Sequence, residues 1–500
     1  MNIDSSKFKH ILLILAIITA VGCTEDYLEK TDEYNIDSEN YFNSQDDYYN
    51  ALIGVYDILQ STYVNVLLGE IASDNTLSGG ESATDVIGFQ QVDEMTHTPV
   101  NDNLDDIWDW NFAGVQRANY LLEFKDKTDF EGKEVIIAET RFLRAYFTFE
   151  LLKWFGPIPI KGDERFVLGD EKSIPRAPES EVYAQIESDL LYAIAELEYT
   201  APQLGRATKG SAQALLGKVY LYQGGEGGDT QYFEKSAAVL ENLINSGQYH
   251  LYGTQGNEDF ADLFEYVGEN GPESVFEIQY TGEQGAGFGC LQCSEGNVAV
   301  GFQGIRNYNG PKFESGFSFN VPVQEVYDLF SEDDLRKDYS ILDIEAWANR
   351  TGATYAEGYK HTGYFNLKYL PRQNDNAGDA NLTQPNNYRA IRYADVLLMA
   401  AEALNRGGIS DARARLYLNM VRNRAGLEDV EVSGSNLTEA IYLERRLELV
   451  GEGHRFFDLV RTGRAARAIT GFTTGKNELF PIPLEEIEFS AGNWQQNPGY

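Results

Sequence analysis

The residues that could do chemistry are spread through the sequence without the spacing of a known catalytic motif. His454 and Asp458 in EGHRFFDLVRTG are four residues apart, so they share one helical face, and we interpret them as polar residues of the scaffold. Paired carboxylates could serve a glycoside hydrolase, but the chain has 78 acidic residues and sequence does not give their separations. GAGFGC is followed by no helical pattern and lacks GKS or GKT, so it predicts no nucleotide site.

The remaining reactive groups predict no metal site and no other cofactor. Cys290 and Cys293, spaced as CLQC in a glycine-rich segment, could close a small disulfide loop or stay reduced. Half of a zinc site is a third interpretation, but no second CxxC or HxxxH accompanies the pair. DNAGDAN, which begins at Asp375, offers oxygen ligands for calcium but lacks the EF-hand spacing and its terminal Glu, so calcium stays only an alternative.

Aromatic side chains among Gly, Asn and Asp are suited to binding a sugar, because sugar rings have flat apolar faces and a fringe of hydroxyls. Trp347 lies in EAWANRTGATYAEGYKHTGY without periodic apolar neighbours. Phe288 is flanked by glycines in GAGFGC, which would expose its ring. Tyr308 follows Arg306 and Asn307 in RNYNG, a combination of a stacking face with hydrogen-bond donors. Packing beneath a loop is the competing explanation for each aromatic residue.

The other tryptophans lie in or near helical patterns. Trp108 and Trp154 occupy apolar faces of predicted helices, and Trp494 lies in the C-terminal segment, so we expect all three in the core. Trp110 falls off the apolar stripe of WDWNFAGVQRANYLLEF. It is a further candidate for ligand contact, with packing beneath a loop as the alternative.

Helical periodicity dominates the sequence on both sides of the glycine-rich segment. Leu216, Gly217 and Tyr220 follow the L-G-x2-Y order of a tetratricopeptide unit, and Ala237 comes in the next helix, where small residues allow close packing. The sequence therefore predicts a mainly α fold with a tetratricopeptide-like helical-repeat scaffold. The predicted helices span 49–59, 107–124, 134–155, 179–197, 207–223, 233–246, 393–407 and 409–426.

The segment between the two helical parts has a different composition. It is rich in Gly, Asn, Asp and scattered aromatics, with short predicted strands at 274–280 and 317–321 and a helical period only at 323–330. A long irregular insertion in a compact domain usually has a function. We therefore predict a loop-rich α+β ligand-binding insertion. The predicted parts are an N-terminal helical part at 41–250, the insertion at 251–390 and a C-terminal helical part at 391–500.

The N-terminus has the layout of a bacterial lipoprotein signal. A basic start precedes an apolar stretch at 11–21 that is too short to span a membrane, and small residues come directly before Cys23. This predicts a signal peptide at 1–22, lipid on Cys23 as the membrane anchor, and an extended acidic leader at 23–40; an ordinary secretory signal is the alternative. The formal net charge of −38 argues against nucleic acid as a partner.

Five ordered segments, together with the lipoprotein-type signal, resemble the SusD/RagB family of outer-membrane nutrient-binding lipoproteins. The segments are RFLRAYFTFELLKWFGPIPI, RYADVLLMAAEALN, LNMVRNRAGL, AIYLERRLELVGEGHRFFDLVRTG and LFPIPLEEIEFSAGNWQQNPGY. The resemblance implies a surface-exposed, lipid-anchored protein of the outer membrane that captures glycans without catalysis. It also implies a partner, a SusC-type TonB-dependent transporter, over whose barrel the lipoprotein acts as a hinged lid.

The resemblance adds candidate contacts in a loop near residues 70–105. Asp74 and Asn75, in IASDNTLSGG, match a position where family members often place polar sugar contacts, and Phe89 lies later in the same loop. Turn formation is the competing explanation for Asp74 and Asn75. We favour a neutral glucan such as a β-glucan as cargo, because the chain is acidic and has aromatic platforms. Two alternatives stay open, namely a helical-repeat scaffold that binds only protein partners and a helical glycoside hydrolase.

Overall fold

The computed structural model describes residues 41–283, 288, 290–373 and 382–500, so the predicted signal peptide, Cys23, the leader and DNAGDAN lie outside the described residues. The α-helices are α1 (Gln45–Asp57), α2 (Tyr63–Ile71), α3 (Ile87–Asp93), α4 (Asp102–Glu123), α5 (Lys133–Phe155), α6 (Glu179–Glu196), α7 (Lys209–Gly224), α8 (Thr230–Asn245), α9 (Val298–Gln303), α10 (Gln324–Asp328), α11 (Lys337–Ser340), α12 (Ile344–Thr351), α13 (Tyr393–Arg406), α14 (Asp411–Arg424), α15 (Ser435–Glu448), α16 (Arg455–Arg461), α17 (Ala465–Ala468) and α18 (Leu484–Phe489). The β-strands are β1 (Thr76–Leu77), β2 (Ser274–Ile278), β3 (Ile305–Arg306), β4 (Ser315–Gly316), β5 (Val321–Pro322), β6 (Ile341–Asp343), β7 (Tyr364–Asn366) and β8 (Tyr388–Arg392).

Each of the long helices predicted from periodicity is present, with ends shifted by a few residues. Local residues explain where several of them begin and end. The Ser44 hydroxyl and the Asp47 carboxylate form a reciprocal capping box that starts α1. The last helical residue of α5 is followed by Gly156, whose φ of 69° an L side chain rarely adopts, and then by Pro157.

The scaffold is a series of helices that pack side by side in chain order, α4 on α5, α5 on α6, α6 on α7 and α7 on α8. The close approach of α7 to α8 depends on Gly217, because a Cβ atom there would lie 2.4 Å from the Leu240 side chain. Helix α8 then packs against α13, although residues 246–392 separate them in the chain. The helical repeat therefore continues across an inserted segment, and the mainly α, tetratricopeptide-like fold is confirmed.

A two-stranded antiparallel sheet joins an early part of the inserted segment to its end. Strand β2 pairs with β8, with Ser274 opposite Arg392 and Phe276 opposite Ile391, and β8 leads directly into α13. The predicted strand at 274–280 is thus present, but the one at 317–321 is wrong, since only its last residue belongs to β5. Short helices α9, α11 and α12 have too few turns to show a clear period, so the sequence did not predict them.

A buried network of charges joins the inserted segment to the scaffold. Arg392 donates to Glu448 at 2.9 Å, and Arg424 donates to Glu273 at 2.9 Å. Arg336, from the inserted segment, reaches the other Glu448 oxygen at 3.2 Å. All of these side chains are almost completely buried. Because each charge needs its partners when water is excluded, the network fixes the position of the insertion on the helices.

His454 and Asp458 are scaffold residues, as predicted, although their partners differ from a simple pair. The Asp458 carboxylate accepts from Arg461 at 2.6 Å and Arg445 at 3.1 Å. The His454 Nδ1 atom lies 3.3 Å from the Lys218 ammonium. Burial, reinforced by Lys218, lowers the pKa of His454 to about 3, so its imidazole is neutral at physiological pH.

Candidate functional site

Five phenylalanine rings form an aromatic ridge that runs from the surface of the insertion into the core. The Phe288 side chain is 62% exposed, and its ring meets the half-buried Phe317 ring edge-on with 5.7 Å between centroids. Beneath them, Phe302 lies 5.9 Å from Phe317 and 5.8 Å from Phe89. Phe319 completes the base of the ridge, 5.4 Å from Phe89. Phe288 is therefore supported from below while most of its surface faces solvent.

The structure corrects the expectation that Phe89 contacts a sugar. Its ring is only 2% exposed, because α3 turns it inward between Phe302 and Phe319. Phe89 belongs to the base of the aromatic ridge and acts on Phe288 only through the other rings. The stacked rings of the ridge nevertheless connect the predicted loop near residues 70–105 to the exposed Phe288 ring.

The loop that carries Phe89 is attached to the insertion by main-chain hydrogen bonds. The Gly80 N–H donates to the Ser318 carbonyl at 2.9 Å, and the Tyr359 N–H donates to the Gly80 carbonyl at 2.9 Å. A Cβ atom on Gly79 would lie 2.0 Å from the Ser318 carbonyl oxygen. Only glycine permits this approach, so the loop is held firmly against the ridge.

Arg306 and Asn307 supply polar groups beside the aromatic ridge. The Arg306 guanidinium donates from Nη2 to the Phe317 carbonyl at 2.9 Å and lies 3.6 Å from the Asp85 carboxylate. Its Nε donates to the Ser318 hydroxyl at 3.3 Å, which leaves Nη1 without a partner among the described residues. Asn307 is exposed, with a φ of 48° that asparagine tolerates better than most residues. Arg306 thus binds the residue on which the Phe288 ring rests, and Asn307 is the next residue in the chain.

Cys290 and Cys293 form a disulfide bond, which resolves the choice between a bridge and free thiols. The bridge closes a short loop two residues after Phe288. Because the bridge closes a loop, it restricts the backbone close to the exposed ring. This restriction matters because the preceding sequence is rich in glycine, which has the greatest backbone freedom.

Trp347 lies on α12 and lines a cavity of about 340 Å³ on the insertion. Its indole N–H donates to the Tyr308 hydroxyl at 2.9 Å. The Arg350 guanidinium lies over the indole at 5.0 Å from the ring centroid, and the Phe313 ring packs against it at 5.3 Å. The indole is therefore already occupied by protein groups and offers little free stacking face.

Tyr308 is a core residue rather than an exposed platform. Its side chain is 7% exposed, and its hydroxyl donates to the Pro311 carbonyl at 2.7 Å while accepting from Trp347. The structure thus corrects the expectation that Tyr308 stacks on a ligand. Its contact with Trp347 instead holds the chain just after Asn307.

Most of the charged side chains around the Trp347 cavity already have a protein partner. Arg372 donates to the Glu265 carboxylate at 2.9 Å, and Lys312 binds the same carboxylate at 3.0 Å. The Tyr327 ring stacks on Tyr364 with 4.4 Å between centroids. With its walls already bonded, the cavity presents less for a ligand than the aromatic ridge does.

Asp74 and Asn75 are structural residues, contrary to the expectation of sugar contact. The Asp74 carboxylate accepts from Arg455 at 2.7 Å and 2.9 Å, and these contacts with Arg455, together with Arg446, lower its pKa against the effect of burial. Asn75 is fully buried and bonds to Arg446 at 2.8 Å and to Glu70 at 3.3 Å. Both residues attach the start of the loop to the C-terminal helices.

The tryptophans of the scaffold are mostly in the core, as predicted. Trp108, Trp154 and Trp494 are 2%, 0% and 6% exposed. Trp110 is half-buried on α4 and packs against the main core, and it is not one of the ridge residues. The structure therefore does not bring Trp110 together with Phe288.

Sequence reasoning missed four members of the site, namely Phe317, Phe302, Phe319 and Asp85. The three phenylalanines lie in the glycine- and asparagine-rich segment, which contains many other aromatic residues. Asp85 is one of several polar residues in a loop. Their roles depend on long-range packing, which neither local pattern indicates. In the ranges that the structure describes, no group of three or more His, Cys, Asp or Glu side chains is placed to hold a metal ion.

An exposed ring with a polar fringe, carried by an insertion in a helical repeat, is typical of a binding protein. Two family models match the chain, the SusD family at residues 272–478 and "Starch-binding associating with outer membrane" at residues 26–221. SusD-like protein P2 of Formosa agariphila is 27% identical, over 99% of this chain and all of that protein.

Comparison with solved structures also finds SusD-like proteins. A laminarin binding SusD-like protein is 38% identical, with a TM-score of 0.82, over 92% of this chain and 100% of that chain. Surface glycan-binding protein A from Bacteroides thetaiotaomicron, in complex with laminarihexaose, is 26% identical with a TM-score of 0.80, over 91% of this chain and 99% of that one. The chain therefore belongs to the SusD family, whose members are non-catalytic glycan-binding proteins of the cell surface associated with the outer membrane.

Proposed function

We propose that this protein captures a neutral glucan, with a β-glucan as the favoured class, and delivers it to a SusC-type TonB-dependent transporter. Lipid on Cys23 would anchor the chain in the outer membrane, with the aromatic ridge facing the cell exterior. In this proposal the chain has no catalytic role, and other enzymes would cut the polysaccharide before import.

The observation that carries the proposal is the exposed Phe288 ring beside Arg306 and Asn307. A pyranose ring can lie flat on Phe288 because its axial C–H groups form an apolar face. Arg306 Nη1 and the Asn307 amide would supply donors for the hydroxyl fringe. Phe317, Phe302 and Phe89 support the platform, and Tyr308 with Trp347 supports the polar side.

Charge favours a neutral ligand over an acidic one. The Arg306 guanidinium is partly compensated by Asp85 at 3.6 Å, and the whole chain has a formal net charge of −38. An anionic polysaccharide would be repelled by this negative field, and the partly compensated Arg306 would offset only part of the repulsion. Laminarin and laminarihexaose, the ligands named for two structural relatives, are β-glucans and support the same class.

The affinity of a single site is expected to be modest. Hydroxyl groups give up well-made hydrogen bonds to water before they bind protein, so each new bond adds little free energy. One stacked ring and a few hydrogen bonds are consistent with a Kd of about 1 μM or weaker, or about −8 kcal/mol at most. Several such sites along a polymer, or the transporter, would supply further affinity.

Affinity electrophoresis of residues 24–500 tests the proposal with laminarin and starch as neutral polysaccharides and alginate as an acidic one. We expect retardation by a neutral glucan, strongest for laminarin, and none by alginate. Phe288→Ala should weaken the interaction about tenfold, or about 1.4 kcal/mol, because it removes the stacking surface. Phe489→Ala is the matched control, since Phe489 is a similarly exposed phenylalanine, 51% exposed, on α18.

Three results would contradict the proposal. Equal retardation by laminarin and alginate would remove the neutral-glucan assignment. Unchanged binding in Phe288→Ala would move the site away from the aromatic ridge. Failure to bind any polysaccharide would favour the alternative, a helical-repeat scaffold that binds only protein partners.

A further inference from the structure

The helical scaffold carries an open apolar groove of about 460 Å³. Leu168 is 87% exposed at its rim, and Val167 and Phe489 are each 51% exposed. Large apolar side chains clustered at this degree of exposure are unusual on a soluble surface unless a partner covers them. The residues that define the apolar groove are Trp108, Phe112, Phe166, Leu168, Phe489 and Trp494.

The walls of the apolar groove are held in place without a partner. Gln116 and Phe166 exchange two hydrogen bonds, each 2.8 Å long, which fix the main chain just before Leu168. The Trp494 indole donates to the Ile174 carbonyl at 2.9 Å. Trp108 packs against Phe112 with 4.6 Å between ring centroids. A groove that is already formed loses little conformational entropy when it is covered.

One side of the apolar groove is acidic. Helix α4 contributes Asp105, Asp106 and Asp109, and α18 contributes Glu485 and Glu486. None of these carboxylates forms an ion pair within the described residues. The opposite wall carries Asp170 and Glu171, which are already paired with Lys161 and Lys172 at 2.6 Å and 3.7 Å. Asp109 and Glu486 line the groove itself, so this rim presents negative charge without a cationic partner in the described part of the chain.

Charge decides which occupant fits. The leader at 23–40 is itself acidic, and a second copy of the chain would bring another formal charge of −38, so both would be repelled. Leu168 and Val167 offer a glycan neither a flat face nor a hydrogen bond, and Phe489 is the one ring lining the described groove that is more than half exposed. A protein segment that combines apolar side chains with Lys or Arg complements both the groove and its rim.

We propose that the apolar groove docks a cationic, apolar segment of the SusC-type transporter. The inference rests on the proposed function for the identity of the partner, and it adds the face of the chain that makes the contact. Leu168 and Phe489 would be the central apolar contacts, and the rim carboxylates would pair with Lys or Arg at the edge.

Docking through this rim should depend on pH. Burial, reinforced by Asp109, Glu485 and Glu486, raises the pKa of Asp105 to about 7. Burial and Asp109 raise the pKa of Glu486 to about 7, and burial with Asp109 and Asp102 raises that of Asp106 to about 6. Asp105, Asp106 and Glu486 are therefore charged at pH 8 and largely neutral at pH 5.5, so a cationic segment binds more tightly at pH 8.

The test uses the full chain produced together with its SusC-type transporter, which carries an affinity tag, in the outer membrane of one bacterial host. After detergent extraction, the amount of lipoprotein retained per transporter is measured at pH 8 and at pH 5.5. We expect Leu168→Asp combined with Phe489→Asp to lower retention at least tenfold. Leu416→Asp, which adds charge at a 56% exposed leucine on α14, should change it less than twofold.

A second pair of substitutions tests the rim by itself. Asp105→Asn with Glu486→Gln keeps the shape and removes two of the titrating charges, so retention should fall several-fold at pH 8 and depend less on pH, with Asp106 still titrating. Laminarin binding is measured on every variant in parallel. It should be unchanged, which separates this inference from the assignment of the glycan site.

Each other outcome overturns the inference. If wild-type chain is retained and the groove variants are retained equally, the apolar groove is not the docking face although the partnership stands. If wild-type chain is not retained at all, the partnership in the proposed function fails and the docking face fails with it. Loss of laminarin binding in the groove variants would instead make the groove part of the glycan site.

Discussion

The aromatic ridge and the apolar groove use the same residue types for different purposes. The ridge has one exposed ring, Phe288, supported by loops whose positions depend on main-chain hydrogen bonds and on Gly79. The groove has several exposed apolar side chains mounted on or beside the long helix α4 and the C-terminal helix α18. The ridge is bordered by an arginine and an asparagine, and the groove is bordered by carboxylates.

This difference indicates which kind of partner each surface can bind. A single ring with hydrogen-bond donors suits a ligand that is flat on one face and polar around its edge. A wide apolar groove with a charged rim suits a protein surface, which buries more area and brings its own counter-charges. The two proposals thus assign capture of cargo to the insertion and contact with a partner to the scaffold, and the two should be separable by substitution.

The largest expected effect comes from a substitution that should weaken binding at both the aromatic ridge and the apolar groove. Glu448→Ala removes the carboxylate shared by Arg392, Arg424 and Arg336, so three buried cations each lose one of their partners. We expect the free energy of unfolding to fall by about 3–5 kcal/mol, measured by urea denaturation of residues 24–500. Because the network connects insertion and scaffold, both binding activities should weaken together.

The control for this variant is Glu332→Ala, which removes an ion pair to Lys337 from a glutamate side chain that is 90% exposed. Its cost should be below about 1 kcal/mol, since water already solvates an exposed charge. Equal losses in the two variants would show that the buried network does not hold the insertion in place.

A smaller effect is expected from a substitution at Gly79, which should weaken binding at the aromatic ridge and leave the apolar groove unaffected. A Cβ atom at this position would lie 2.0 Å from the Ser318 carbonyl oxygen, so Gly79→Ala must push the loop away from the ridge. We expect a loss of about 1–3 kcal/mol in stability and several-fold weaker laminarin binding, with transporter retention unchanged. Gly54→Ala is the control, because its Cβ would meet open space on α1 and should be neutral or stabilising. Equal laminarin affinity in both variants would contradict the role given to this loop.

The acidic rim gives the groove a pH dependence that the ridge should lack. For Asp105 and Glu486, folding raises the pKa to about 7. The unfolded values are about 3.9 and about 4.3. The folded chain therefore binds more protons than the unfolded chain between these limits, and this contribution to stability is lost as pH rises from about 4 through about 7.

Thermal unfolding at pH 5.5 and pH 8 measures this effect. Asp105→Asn with Glu486→Gln should reduce the fall in Tm from pH 5.5 to pH 8 compared with the unmodified chain. Laminarin binding should be nearly the same at both values, since the phenylalanine rings of the ridge and the Asn307 amide have no titratable group. An identical Tm difference in the variant and the unmodified chain would contradict the raised pKa values of the rim.

The smallest expected effect is at Trp347, behind the polar side of the ridge. Trp347→Phe keeps an aromatic ring but removes the N–H that donates to Tyr308. We expect about 1 kcal/mol lower stability and a twofold to fourfold weaker affinity for laminarihexaose, because the chain around Asn307 is less firmly held. Trp110→Phe should leave the affinity unchanged. A loss of tenfold or more in Trp347→Phe would instead place Trp347 in direct contact with the sugar.

Periodicity was sufficient to predict the long helices, because each buries a stripe of side chains that repeats in the sequence. The helices from α4 to α8, together with α13 and α14, were found in this way, and the family resemblance implied their arrangement. The short helix α12, which carries Trp347, has too few turns for its period to be recognised. Its tryptophan therefore resembled a residue of an irregular loop.

Prediction of the site was less complete, since exposure in a loop depends on distant residues. The flanking glycines correctly indicated that Phe288 is exposed. Tyr308, in a similar local context, is buried because Trp347, which is 39 residues further along the chain, and the nearer Phe313 pack against it. Asp74 and Asn75 had the composition of a polar loop, but Arg446 and Arg455 from the C-terminal helices bind them. No local pattern contains such partners.

Titration calorimetry of laminarihexaose into residues 24–500 tests the central claim most directly when the unmodified chain, Phe288→Ala and Phe489→Ala are compared. We predict about tenfold weaker affinity in Phe288→Ala and a change of less than twofold in Phe489→Ala, since only the first substitution removes the platform for the sugar. Unchanged affinity in Phe288→Ala, or an equal loss in both variants, would contradict the assignment of glycan capture to the aromatic ridge.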